Sequence, residues 1–280
     1  MEEMKYPVNL VLETTTACNL SCSICPHRTM RRRTGKVMPY QLYRKIIEEL
    51  ADNSRNDTII WHAFMGEPTM ATDLWNRIYD AKQLGIKNIW LNTNGRLAEP
   101  FLPFLADKIF VSIDAFKRET YEKIRCNGNF EMVVANTKQM LCDKPSYQEI
   151  IVQFIETPEN KGELEEFKSF WLSLGASVKI RKMLGWGRSV ADRLEYETVR
   201  RPCNWLARQM VVLNDGRVAQ CDADYEGEYI AGDINQQTIS EVWNGELKRR
   251  RDRHLAGDYD FMPCSKCDDW QIGISEVIRP

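Results

Sequence analysis

Three cysteines crowd the start of this sequence. Cys18, Cys22 and Cys25 stand four and three residues apart in ETTTACNLSCSICPH, with Pro26 directly behind the last. Thiolates hold soft metals and iron–sulfur clusters, and a [4Fe–4S] cluster normally takes four of them. Three would leave one iron open to a ligand that reacts there. A zinc site is the other reading: structural zinc wants four closed ligands, and His27 is available as a fourth. A second set, Cys203, Cys221, Cys264 and Cys267, has the spacing CX17CX42CX2C. Four thiolates can close around one [4Fe–4S] cluster or one zinc ion, and spacing alone slightly favours zinc. Cys126 and Cys142 stand alone and complete the nine cysteines.

The chemistry open to these thiols depends on the compartment. The N-terminal stretch MEEMKYPVNLVLETT carries mostly acidic early charges and no long apolar run, so it does not read as a secretory signal. No apolar stretch approaches the roughly 20 residues that cross a bilayer. The chain is therefore expected in the cytoplasm, without a membrane partner, where cysteines serve as ligands or nucleophiles rather than in disulfides. Of its 280 residues 43% are hydrophobic and 28% charged, as in a globular protein, and the net charge of -2 gives no basic footprint for nucleic acid. The run Arg31-Arg32-Arg33 reads as a solvated loop.

Six β-rich runs alternate with helical patterns and must position these residues. The strands are expected at 8–13, 58–62, 88–91, 109–113, 149–155 and 177–180, and the helices at 39–50, 73–84, 130–141 and 163–174. Such alternation implies an α/β fold with a parallel sheet and crossover helices, whose ligands sit beyond the carboxyl ends of the strands. The cysteine loop, Gly66-Glu67-Pro68, Asn92-Thr93-Asn94-Gly95 and Ser112-Ile113-Asp114 all fall at such ends. His62 ends the second strand and reads as a hydrogen-bonded structural histidine. From about residue 203 the texture changes: QMVVL, Asn214-Asp215-Gly216 and RVAQ read as a hairpin, and 240–255 as a helix. This implies a domain over 1–190 and a smaller one over 191–280.

CxxxCxxC behind the first strand, followed by GEP behind the second, resembles the radical S-adenosylmethionine (SAM) superfamily. The stretch from Pro202 to Ile234, SEVWNGELKRRR and PCSKCDDW resemble its SPASM/twitch extension, closest to the twitch form with four cysteines, as in dehydrogenases of aminocyclitols. The resemblance implies a partial (β/α)6 barrel followed by a small α+β iron–sulfur domain. It implies two [4Fe–4S] clusters, one on Cys18, Cys22 and Cys25 and one on Cys203, Cys221, Cys264 and Cys267. SAM would chelate the open iron of the first. One electron from a low-potential donor such as flavodoxin or ferredoxin would cleave it to a 5′-deoxyadenosyl radical.

By the same resemblance Gly66, Glu67 and Pro68 contact the SAM amino group, while Asn92, Asn94, Ser112 and Asp114 line the SAM or substrate pocket. Met65 stands where the family often has a further glycine. The activity expected first is oxidation of a hydroxyl on a small polar substrate, with the second cluster as electron acceptor and Arg181 or Arg188 positioning the substrate. Epimerisation with Cys126 as hydrogen donor, and modification of a peptide or protein, are the enzymatic alternatives. An iron–sulfur or zinc scaffold is the non-enzymatic one.

Overall fold

The computed structural model describes residues 4–97, 106–187, 189–190, 199–272 and 275–280. Six strands follow one another in parallel: β1 (Asn9–Leu12), β2 (Ile59–His62), β3 (Ile89–Thr93), β4 (Lys108–Ser112), β5 (Glu149–Glu156) and β6 (Ser177–Lys182). Their apolar residues are covered on the outer face by helices, the usual fate of parallel sheets. α1 (Tyr40–Asn53), α2 (Leu74–Gln83), α4 (Phe130–Asp143) and α5 (Leu164–Ser173) form that layer as expected. In α1 the buried residues Leu42, Tyr43, Ile46, Ile47 and Leu50 make one stripe at helical spacing. They join Leu10, Leu12, Ile60, Leu91 and Ile109 from the strands in a single large core.

The short α3 (Arg118–Ile124) was not anticipated. Its sequence RETYEKI is too brief for a clear periodic signal, and it buries only Tyr121 and Ile124. After β6 come α6 (Asn204–Arg208) and the expected hairpin, β7 (Gln209–Val212) and β8 (Arg217–Ala219), antiparallel around Gly216 at φ +95°. A two-residue β9 (Gly232–Asp233) follows. The helix expected over 240–255 is two, α7 (Ile239–Asn244) and α8 (Glu246–Leu255), parted at Gly245. A Cβ there would lie 2.7 Å from the Glu241 carbonyl oxygen.

Long-range pairing was invisible in the sequence. β7 lies parallel beside β1, and β10 (Glu276–Ile278) returns antiparallel to β6. The result is one ten-stranded sheet, β10-β6-β5-β4-β3-β2-β1-β7-β8-β9. The α/β barrel-like core and the smaller C-terminal α+β unit thus share a sheet. The expected boundary between 190 and 191 adjoins residues outside those described.

The arginine run is not simply solvated. Arg31 pairs with Glu226 and Glu228 at the surface, but Arg32 forms a two-pronged bond to the fully buried Glu13, at 2.6 and 2.8 Å. Glu13 also accepts from the Asn214 amide at 3.1 Å, so one carboxylate ties the first strand's end to the C-terminal hairpin. Among the described residues no helix is long and apolar enough to cross a membrane.

Candidate active site between two cysteine clusters

The first cysteine loop leaves the C-terminal end of β1 and is held from several sides. The Ser21 and Ser23 amides donate to the carbonyls of Cys126 and Ile124, at 3.0 and 2.9 Å. Asn94 donates its side-chain amide to Asn19 Oδ1 at 2.7 Å, and Arg96 reaches the Asn19 carbonyl at 2.9 Å. The three sulfur-bearing residues pack among Leu20, Ile24, Ile124, Ile155 and Met183. Burial pushes the Cys18 thiol up to about 11 and that of Cys25 to about 12, with the neighbouring thiols adding to the rise. Arg125 Nη1 donates to Cys22 Sγ at 3.6 Å, so a guanidinium faces this thiol group. Three neighbouring thiols in a largely apolar loop, facing a cation, are the donor set an anionic thiolate-bound cluster would take, and among the described residues no three such side chains stand together as a ready-made site for a single metal ion. His27 is committed through Nε2 to the Thr16 carbonyl at 2.8 Å.

The GEP loop supports the cysteine loop from beneath. Gly66 has φ +88°, and a Cβ there would meet the carbonyl oxygens of Thr15 and Ala17 at 2.2 and 2.9 Å. The Glu67 amide donates to the Ala17 carbonyl at 2.7 Å, and Pro68 opens a short 3-10 turn. The Glu67 side chain is buried and accepts from Thr69 Oγ1 (2.7 Å), Thr93 Oγ1 (2.8 Å) and the Asn94 amide (2.7 Å). Desolvation raises its pKa, and those donors oppose the rise. Its carboxylate thus joins two loops of the sheet mouth, with three of its bonds on Oε1 and one, from Asn94, on Oε2.

The other expected contacts divide. Asn92 and Ser112 line the barrel cavity, where Asn92 Oδ1 accepts from Trp61 Nε1 at 2.9 Å and Ser112 Oγ from Gln153 Nε2 at 3.1 Å. Asn94 is buried and braces the cysteine loop. Asp114 does not reach the cavity wall. It is fully buried at φ +62°, ion-paired with Arg125, and accepts from the Ile155 amide at 2.8 Å. Cys126 is also absent from that wall, and its thiol donates to the Lys123 carbonyl at 3.3 Å. Arg188 lies outside the described residues. His62 is structural as expected: fully buried, with Nδ1 2.9 Å from Thr14 Oγ1.

The cavity has a volume of about 640 Å³. It reaches from Ile24 and Cys25 at the sheet mouth to Val8 and Ile59 at the opposite strand ends, and sideways to Trp205 and Asp222. Trp61, Trp90 and Phe110 pack edge and tilted at 5.2–5.5 Å in and beneath its wall. Lys179 and Arg181 enter from alternate positions of β6. Burial lowers the Lys179 pKa to about 7, helped by Arg181. Asp222 accepts from Gln209 Nε2 at 2.7 Å, and burial raises its pKa.

Asp222 adjoins the second thiol group. Cys203, Cys221, Cys264 and Cys267 all line one small cavity of about 20 Å³, beside Trp205 and Trp270. Burial raises all four thiols, that of Cys264 to about 11 and that of Cys267 to about 12, and neighbouring thiols add to the rise at Cys221, Cys264 and Cys267. Gln220 Nε2 donates to Cys264 Sγ at 3.0 Å. Four thiols lining one cavity are the donor set that a fully protein-ligated cluster would take.

Residues 12–160, more than half of the chain, match the model of the radical SAM superfamily. The chain belongs to that superfamily. Residues 203–268 match SPASM, an iron–sulfur cluster-binding domain. It is therefore an enzyme of the radical SAM/SPASM type, with SAM and two iron–sulfur clusters as cofactors.

Mycofactocin maturase MftC of Mycolicibacterium smegmatis is 28% identical over 211 residues, covering 71% of this chain and 52% of that protein. A probable GTP 3′,8-cyclase of Methanococcus maripaludis is 33% identical over 126 residues, 44% of this chain and 41% of that protein. The chain spans about half the length of the curated relatives it matches. Among solved structures, BtrN in complex with AdoMet and 2-DOIA superposes with a TM-score of 0.67 at 17% identity, covering 98% and 97% of the two chains. Streptococcus suis SuiB bound to precursor peptide SuiA gives 0.73 at 13% identity, covering 96% of this chain and 71% of that one. These structural likenesses concern the fold.

Lys179 and Asp222 were missed as site residues by sequence reasoning. Alternation along β6 would have placed Lys179 on the same face as Arg181, and Asp222 directly follows a cluster cysteine.

Proposed function

We propose that this radical SAM enzyme oxidises a residue of a peptide substrate by two electrons. The observation that carries the reading is the single cavity running from Cys25 to Asp222, the neighbour of Cys221, through the barrel. When bound, SAM on the first cluster supplies a 5′-deoxyadenosyl radical that removes a hydrogen atom, and the second cluster supplies a sink for the remaining electron. We assign the first cluster to Cys18, Cys22 and Cys25 and the second to Cys203, Cys221, Cys264 and Cys267.

The chain's own groups do the rest. Asn92 and Ser112 present polar atoms to the cavity near the sheet mouth. Trp61, Trp90, Trp186 and Trp205 line its sides and exclude water. Asp222 takes up the proton that leaves the substrate. A cavity along the strands has a depth of roughly 13 Å for four residues at about 3.3 Å each, which suits an extended segment. The names of the relatives support a peptide, since both a maturase and a precursor-peptide complex stand among them.

A small aminocyclitol-like substrate is the second reading. It is favoured by the nearly end-to-end match with BtrN, described in complex with 2-DOIA. A flavodoxin or ferredoxin is the proposed electron donor in both cases. Reduced enzyme would be given SAM with either peptides encoded beside the gene or aminocyclitols. A peptide product lighter by two hydrogens is expected; turnover of aminocyclitols alone would replace the first reading by the second.

A further inference from the structure

Among the described residues Lys179 and Arg181 have no hydrogen-bonded or ion-paired partner, and the one carboxylate on the same wall, Asp222, acts on both only through space. Both face the cavity from β6. Lys179 is only 7% exposed. Its Nζ lies 5.2 Å from the Trp61 ring centroid and 4.8 Å from that of Phe110, which offsets part of the lost hydration. The charged residues of the wall are Arg125, Lys179, Arg181, Arg208 and Asp222. Arg125 is neutralised by Asp114, and Asp222 is hydrogen-bonded to Gln209 rather than to either cation. The wall therefore holds an excess of positive charge where burial makes unpaired charge costly. Two cations two residues apart on one strand face can grip one carboxylate together, and charge-assisted bonds of this kind are among the strong ones.

We propose that Lys179 and Arg181 form a carboxylate-binding subsite of the barrel cavity, so that the substrate carries a carboxylate group. The subsite deepens the reading of the cavity as the substrate site and rests on it. The carboxylate can belong to a free small acid or to a peptide. Asn92 and Ser112 are not part of it, although Ser112 stands in register with Gln153 and Gln153 with Lys179.

The test is isothermal titration calorimetry on anaerobically reconstituted, unreduced, SAM-saturated protein. Glutarate and the blocked tripeptide acetyl-Ala-Glu-Ala-amide are the titrants, with glutaramide and acetyl-Ala-Gln-Ala-amide as neutral counterparts. At least one acid is expected to bind saturably and its neutral counterpart not; which acid binds identifies the source of the carboxylate. The double variant Lys179→Gln/Arg181→Gln should weaken that binding by about tenfold or more, the loss expected for charge-assisted hydrogen bonds. Lys179→Arg, which keeps the charge, should bind within about threefold of the native protein. Iron content and circular dichroism establish that each variant is folded. The proposal is overturned if neither acid binds, if acid and amide bind alike, if the double variant binds as the native protein does, or if binding appears only without SAM. In that last case the pair serves SAM itself. Formation of 5′-deoxyadenosine and of oxidised product is measured separately, so failure of the radical reading is distinguishable from failure of the subsite.

Discussion

The Asn94 amide donates to Glu67 Oε2 at 2.7 Å, joining the loop after β3 to the loop after β2. Asn94 then passes its side-chain amide to Asn19, inside the cysteine loop. Three strand ends are thereby fixed to one another through a single buried carboxylate. Glu67→Ala leaves buried donors on Thr69, Thr93 and Asn94 without an acceptor, each at a cost of about 1–3 kcal/mol. The variant is expected to melt at lower temperature and to lose iron from the first site together with SAM affinity. Differential scanning fluorimetry and iron analysis decide this. Weakened SAM binding with unchanged stability and iron would show that the carboxylate meets SAM directly.

Gly66 makes a sharper version of the same point. A methyl group there would overlap the Thr15 carbonyl, which is backbone and cannot swing aside. Gly66→Ala should displace the segment that leads into Cys18. Reconstituted protein should fall from about eight irons to about four, because the C-terminal thiols lie apart from this loop. Retention of about eight would mean that the loops tolerate the overlap.

His62 gives stability a pH dependence of known sign. Burial lowers its pKa from 6.5 to about 3, and Arg77 adds to the effect. Between those values the unfolded chain binds more protons than the folded one, so folding stability rises with pH. Acidification below pH 6.5 therefore destabilises, with a slope approaching about 1.4 kcal/mol per pH unit for this one proton. Thermal unfolding of wild type and His62→Gln between pH 5 and 7 should show a shallower slope in the variant. Identical slopes would contradict the assignment.

Asp222 and Cys126 are expected to behave oppositely. Asp222→Asn removes the proton acceptor and should slow product formation by about a hundredfold or more, the usual range for a general base. Its iron content should stay native. Cys126→Ala should form product within about twofold of the wild type, since its thiol bonds to Lys123 outside the cavity wall. An inactive, folded Cys126→Ala that still cleaves SAM would restore the hydrogen-donor role.

What the sequence made legible was local. The hydrophobic runs announced β1 to β6 within a few residues, and the cysteine spacings announced two thiol groups, because both signals are carried by near neighbours. Side-chain partners across the sheet were not legible. Glu67 and Asp114 follow strands as ligand-binding residues do, and their carboxylates also meet Asn94 and Arg125. The decisive partners lie 27 and 11 residues away and carry no local mark. The pairing of β7 with β1 and the joint entry of Lys179 and Asp222 into one cavity likewise arise only when the sheet is assembled.

The central claim is that Cys18, Cys22 and Cys25 support reductive cleavage of SAM. Its most direct measurement is 5′-deoxyadenosine formed by anaerobically reconstituted, dithionite-reduced protein. The wild type should produce it. The triple variant Cys18→Ala/Cys22→Ala/Cys25→Ala should keep about four irons in the second site and produce none. Equal 5′-deoxyadenosine from the triple variant, or none from wild type holding about eight irons, would contradict the account.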